Sequence, residues 1–262
     1  MDTALDRGAD GRWHGTMTDR WWIGAGPNGG YIAAFLIRAL MNEAAQPDPL
    51  TMTVHYLARP GIAAVTVEVD RLRGGRSHDF LHARLLQDEQ PVAVATAAFG
   101  RLREGDPVSM QGEIPSPPDP EHATRIQHDP IPQLTFRDRF ELRVAAEAGV
   151  PFGREHPGPA RVGGWIRFAD GRPLDNAAIP LFMDSWPPPM FATFLGGMAP
   201  TIELTVDWRN RPSPESRWHL ADFHSRFLMN GYTDEDGELW DESGRLIAQS
   251  RQLARFSPPA PA

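Results

Sequence analysis

Apolar residues crowd the first long periodic segment on almost every side. In residues 31–45, Ile32, Phe35, Leu36 and Leu40 recur around nearly the whole circumference of a helix. A helix apolar on most faces is buried on most faces. The loop signal Gly26-Pro27-Asn28-Gly29-Gly30 leads into it, and Gln46-Pro47-Asp48-Pro49 stops it. Period-two patterns follow. Residues 50–57 are rich in Thr, Val and Tyr. Within 63–72, Val65, Val67 and Val69 point one way and Thr66, Glu68 and Asp70 the other. Gly74-Gly75 marks a turn, and residues 80–87 and 92–101 predict two more strands around the turn Asp88-Glu89-Gln90. One long buried helix followed by four antiparallel strands is an α+β unit, with a curved sheet wrapped around the helix.

The pattern then starts again. Residues 104–133 are dense in proline (Pro115, Pro117, Pro118, Pro120, Pro130, Pro132) and predict a linker. Residues 134–144 and 163–168 read as strands. Residues 175–194 predict an apolar helix broken by Pro187-Pro188-Pro189. Strands are expected over 201–209, 219–230, 237–240 and 246–256. The two halves align residue by residue. Met52-Thr53-Val54-His55-Tyr56 with Arg59-Pro60 lies over Leu204-Thr205-Val206-Asp207-Trp208 with Arg211-Pro212, a shift of 204 − 52 = 152 positions. A repeat longer than about 100 residues indicates domain duplication rather than a solenoid. The expected organisation is a first domain at 1–103, a linker at 104–133 and a second domain at 134–262.

Composition narrows the classes. The chain has 262 residues, 41% of them hydrophobic, enough for one large or two ordinary packed domains. The net charge of −8 and the lack of a long basic run argue against nucleic acid. All basic residues are arginine, which excludes lysine Schiff-base chemistry. The absence of cysteine excludes disulfides, thiolate nucleophiles and cysteine metal sites. The first thirteen residues are polar and carry acids, unlike a signal peptide. The longest apolar stretch, 31–41, is interrupted by Arg38 and too short to span a bilayer. A soluble, cytoplasmic protein without cofactor or metal is the expectation.

The order of elements, given twice, resembles the double hotdog fold. The first half, with Gly-Pro-Asn-Gly-Gly before the helix and His55-Tyr56-Leu57-Ala58-Arg59-Pro60-Gly61 after it, is similar to the N-terminal hotdog of TesB-like acyl-CoA thioesterases. The second half resembles their catalytic hotdog in three places: Asp184 in Leu181-Phe182-Met183-Asp184-Ser185-Trp186, Thr201 in Thr201-Ile202-Glu203, and Gln252 in Ser250-Arg251-Gln252. The resemblance implies hydrolysis of a fatty acyl-CoA or related thioester by a water that Asp184, Thr201 and Gln252 orient. The connection 186–200 holds the triple proline and Gly196-Gly197, so the placing of Thr201 can slip, and Thr205 is the fallback. The family's acidic strand residue is Glu203 here.

Those residue types suit the chemistry. A thiolate leaves readily, so no covalent nucleophile is needed, and a carboxylate such as Asp184 can take the proton of an attacking water. Thr201 and Gln252 offer neutral donors and acceptors. Shifting by 152, Asp184 falls on Ile32 and Thr201 on Pro49; aligning the last strands (246 − 92 = 154) puts Gln252 over Ala98. The first half thus lacks all three groups, so one active centre per chain is expected, with the first half structural.

Other signals are weaker. Arg71, Arg73 and Arg76 around Gly74-Gly75 are candidates for CoA phosphates, with a solvated turn the equal alternative. His219 and His224 face opposite sides of a strand and read as ordinary polar positions rather than metal ligands. No Gly-x-Ser-x-Gly or Walker loop is present. The alternatives to hydrolysis are a hotdog dehydratase, for which no Asp-x-Asn-x-x-His-like pattern is found, and a catalytically silent acyl-CoA or acyl-carrier binding protein. A homodimer of double-hotdog chains is a further expectation.

Overall fold

Helix α1 (Gly29–Glu43) begins where the Asn28 side chain accepts the Tyr31 N–H, a Ser/Asn-type N-cap. Its buried residues include Ile32, Phe35, Leu36 and Leu40, as the all-round apolar pattern requires. It ends where Asp79, 1% exposed, accepts the Ala45 and Gln46 N–H groups. The computed structural model describes residues 2–103, 112–113, 115–116, 119–126, 134–144 and 156–259.

Among these residues one antiparallel sheet of fourteen strands wraps the helices. Its longer strands in the first half are β1 (Trp13–Thr16), β2 (Asp48–Tyr56), β3 (Ala64–Gly74), β4 (Asp79–Gln87) and β5 (Gln90–Gly100). In the second half they are β6 (Phe140–Val144), β7 (Arg161–Phe168), β8 (Thr201–Trp208), β9 (His219–His224), β10 (Tyr232–Asp241) and β11 (Leu246–Arg255). Spatial order is β1-β3-β4-β5-β2-β8-β11-β10-β9-β7-β6. Each half is therefore an antiparallel sheet about its own helical layer. The sheets join edge to edge through β2 and β8, where Thr205 stands opposite Thr53. This is the double hotdog arrangement, with the two halves forming an internal pseudo-dimer. An ion pair crosses the join: Arg211 Nε and Nη2 grip Asp48 Oδ1 and Oδ2 at 2.6 and 2.7 Å, with Asp48 only 2% exposed.

Two expectations change. The apolar helix over 175–194 does break at the triple proline, but it is far shorter than the apolar run, only two one-turn helices, α2 (Ile179–Met183) and α3 (Met190–Phe194). Pro180 opens α2, and Pro187-Pro188-Pro189 removes the N–H groups that would continue it. The strand expected over 134–144 begins only at Phe140, because residues Thr135–Arg139 form a 3-10 turn. Much of the linker segment lies outside the described residues. Within it, Thr124 and Arg125 pair with Val144 and Arg143, so these two residues join the second sheet.

Candidate active site

Asp184 caps the C-terminus of α2, where the short helix stops against the N-terminus of α1. The approach is close because Gly30 has no side chain. A Cβ there would lie 2.4 Å from the Pro180 carbonyl oxygen. The Gly30 N–H donates to Asp184 Oδ2 at 2.8 Å, and Asn28 Nδ2 donates to the same oxygen at 2.7 Å. A carboxylate at a helix N-terminus meets unpaired N–H groups and the positive end of the dipole. The first half, expected to be structural, thus holds the second half's acid in place. The sequence shows Asn28 only as part of a loop signal, and nothing in its spacing tells which carboxylate it meets.

Gln252 comes from β11 and is 5% exposed. Its Nε2 donates to Asp184 Oδ1 at 3.3 Å and to Glu235 Oε1 at 2.8 Å, and its Oε1 accepts the Thr201 hydroxyl at 2.9 Å. Thr201 opens β8, and a bulge between Thr201 and Glu203 shifts its register against β11. Such a bulge re-aims a side chain beside a site. Thr205, the fallback, is elsewhere: its hydroxyl donates to Glu203 Oε1 at 2.6 Å and lies 2.7 Å from the Thr53 hydroxyl. The geometry therefore unites Asp184, Thr201 and Gln252, and leaves Thr205 and Glu203 outside the cluster.

The cluster faces a cavity of about 870 Å³ between the halves. Ile32, Phe136, Phe140, Leu142 and Trp186 give it apolar walls, and Asp184, Thr201, Glu235 and Gln252 give it a polar patch. Volume and make-up are those of a small-molecule site with a few convergent polar groups. Burial pushes the Asp184 carboxyl up to about 6, against the pull of the Gly30, Gln252 and Asn28 donors. The Tyr56 hydroxyl donates to the Gly29 carbonyl at 3.0 Å, and burial beside Asp184 keeps it a neutral phenol.

Arg71, Arg73 and Arg76 do not line this cavity. They sit on and after β3, where Arg71 bonds the Glu43 carbonyl at the far end of α1. At 1.5 Å per residue, α1 separates them from Asp184 by roughly 20 Å. The arginines that do line the cavity are Arg59 and Arg137. Arg59 is exposed, forms no ion pair or hydrogen bond among the described residues, and lays its stem over Gly26. Among the described residues no cluster of His, Asp and Glu could hold a metal, and no helix is long and apolar enough to cross a membrane.

Comparison with known proteins bears on the family and the fold. Residues 18–100 match the acyl-CoA thioesterase N-terminal domain family, and residues 112–256 match the acyl-CoA thioesterase C-terminal domain family. Acyl-CoA thioesterase 2 of Haemophilus influenzae is 25% identical over 261 residues, covering 87% of each chain. A hotdog-fold protein of unknown function from Alicyclobacillus acidocaldarius has a solved structure with TM-score 0.89 and 26% identity, covering 99% of this chain and 97% of its own. A putative thioesterase II from Thermobifida fusca gives TM-score 0.89 and 25% identity, over 98% and 96%. With both domain families matched in order across most of its length, this chain belongs to the acyl-CoA thioesterase family, a TesB-like thioester hydrolase built as a double hotdog.

Proposed function

We propose that the chain hydrolyses a fatty acyl-CoA to free acid and CoA by direct attack of water at the Asp184–Gln252–Thr201 cluster. The observation that carries this reading is the single amide of Gln252, which bonds Asp184 with its nitrogen and Thr201 with its oxygen at the wall of an apolar cavity. The acyl chain occupies the apolar walls. Asp184 Oδ2 is saturated by Asn28 and Gly30, so Oδ1 is the oxygen that takes the proton from water. Thr201 and Gln252 hold that water against the carbonyl carbon. General-base help of this kind contributes typically ~10²–10⁴-fold. Arg59 at the cavity wall suits the phosphates of CoA, since guanidinium matches phosphate oxygens in pairs.

The test is thiol release from acyl-CoAs of short to long chain, read with a thiol-reactive dye, for the wild type and Asp184→Ala. Release by the wild type that is lost in Asp184→Ala supports the reading. Turnover that survives the substitution removes Asp184 from the mechanism. Tight acyl-CoA binding with no release favours a silent binding protein.

A further inference from the structure

Asp184 is not the only acid on the cavity wall. Glu235 lines it too, and water attack as described gives Glu235 no part. It stands on β10 directly opposite Gln252. Gln252 Nε2 donates to Glu235 Oε1 at 2.8 Å and to Asp184 Oδ1 at 3.3 Å, so one neutral amide nitrogen joins two carboxyl groups. The second oxygen of Glu235, Oε2, enters no hydrogen bond among the described residues.

The repeat marks Glu235 as a feature of the site rather than of the fold. Glu235 pairs with Gln252 as Phe80 pairs with Ala98, the first-half counterpart of Gln252. The first half thus carries Ile32, Pro49, Phe80 and Ala98 where the second carries Asp184, Thr201, Glu235 and Gln252. All four polar positions differ together. A strand residue kept only for sheet pairing has no reason to follow that pattern.

Two carboxyl groups sharing one amide do not both ionise readily in a confined site. Burial, and next the charge of Asp184, hold Glu235 well above the usual carboxylate range. It therefore keeps its proton while Asp184 is ionised, and environments that differ in this way separate an acid from a base.

We propose that Glu235 is a further catalytic residue, a general acid that gives its proton to the sulfur as the thiolate departs. The inference rests on the hydrolytic reading above. Water forms the new C–O bond as Asp184 takes one of its protons, and the carbonyl π pair moves to oxygen. That pair returns as the C–S bond breaks, leaving its electrons on sulfur. The Glu235 proton passes to sulfur, giving a neutral thiol. The proton held by Asp184 then returns through solvent to Glu235, and acid and thiol are the only products. In bulk water a thiolate needs no such help. Inside a cavity, desolvation makes a bare thiolate costlier and raises the thiol pKa, which brings it into the range of a buried acid.

The experiment compares kcat for one acyl group carried on two thiols. One is CoA, an alkyl thiol with pKa near about 8.5 by analogy with cysteine. The other is an aryl thiol, whose thiolate leaves without a proton. Glu235→Gln keeps the acceptor for Gln252 but cannot ionise. It is expected to lose about 10²-fold on the acyl-CoA and at least tenfold less on the aryl thioester. Glu235→Asp should recover part of the acyl-CoA rate. Equal losses on both substrates, or unchanged acyl-CoA turnover, overturn the proposal. Should the variants not fold, the wild type alone decides. Across thiols of graded acidity its kcat should vary little, and a steep dependence overturns the role of Glu235. A wild type that hydrolyses neither thioester overturns the hydrolytic reading itself, a failure distinct from the others.

Discussion

The hydroxyls of Thr53 and Thr205 lie 2.7 Å apart, on strands β2 and β8 where the two halves join. These residues are 152 positions apart and hold the same place in each copy of the repeat. Equivalent residues meet only on the axis that relates the copies, so this hydrogen bond marks the internal twofold.

Asp184 must be ionised to act as a base, and burial places its pKa at about 6. We expect kcat/KM to fall tenfold per pH unit below about 6 and to level off above it. A limb near the ordinary aspartate value would mean that another group is being titrated.

Stability should respond to the same group with the opposite sign. Its carboxyl binds a proton more tightly folded than unfolded, having risen from 3.8 to about 6. Its contribution is complete below about 4 and lost as pH rises through 6. Denaturant unfolding should show the wild type losing about 2–3 kcal/mol relative to Asp184→Asn between those limits. Parallel curves for the two proteins would contradict the shift.

Asn28 accepts the Tyr31 N–H and donates to both the carbonyl oxygen and Oδ2 of Asp184. Asn28→Ala should lose about 1 kcal/mol from the cap, and should move the acid limb of kcat/KM above 6, because a donor to the charged form has gone. Asn28→Asp keeps the cap acceptor but sets a second carboxyl against Asp184, so its limb should lie higher still. Limbs unmoved in both variants would show that Asn28 does not tune the base.

Arg59→Ala should raise KM for an acyl-CoA about tenfold while leaving that for the matching acyl-pantetheine, which lacks the nucleotide phosphates, nearly as it was. Equal changes for both substrates would remove Arg59 from phosphate recognition.

His219 is 1% exposed, neither ring nitrogen has a hydrogen-bond partner among the described residues, and its ring packs edge-on against Phe182 of α2. Burial lowers its pKa to about 4, so it is neutral at pH 7. His219→Leu should raise stability at pH 7 by about 1 kcal/mol, since it removes buried unsatisfied nitrogens. The gain should grow as pH falls from about 6.5 towards 4, where the unfolded histidine binds a proton that the folded one refuses. Thermal unfolding across that range measures both effects.

Much of the architecture was legible because it rests on local periodicity. The all-round apolar pattern of α1 and the alternation of Val65 and Val67 each have one packing solution, and the second copy repeats it. Asp184, Thr201 and Gln252 were singled out by resemblance alone, and the fold brings their side chains within hydrogen-bond reach. The break of the apolar run over 175–194 at the triple proline was legible, but its hydrophobicity overstated the helical length on either side. Arg71, Arg73 and Arg76 attracted attention as a cluster, yet a cluster carries no information about which end of α1 it occupies. Asn28 and Glu235 were missed for a related reason. Their partners, Asp184 and Gln252, are 156 and 17 positions away: closure of the two halves makes the first pair neighbours, and the register of β10 on β11 the second.

The ion pair between Asp48 and Arg211 has a meaning beyond joining the halves. Moved by 152 positions, Arg211 falls on Arg59 and Asp48 falls on Pro200, and both of those residues line the cavity. Symmetry supplied two sockets, each with an arginine. One is filled by the chain's own carboxylate, held through both oxygens. The other has proline in place of the acid, and its arginine forms no ion pair among the described residues. In the proposed reading, the two-oxygen grip of Arg211 on Asp48 sketches how Arg59 would hold a CoA phosphate.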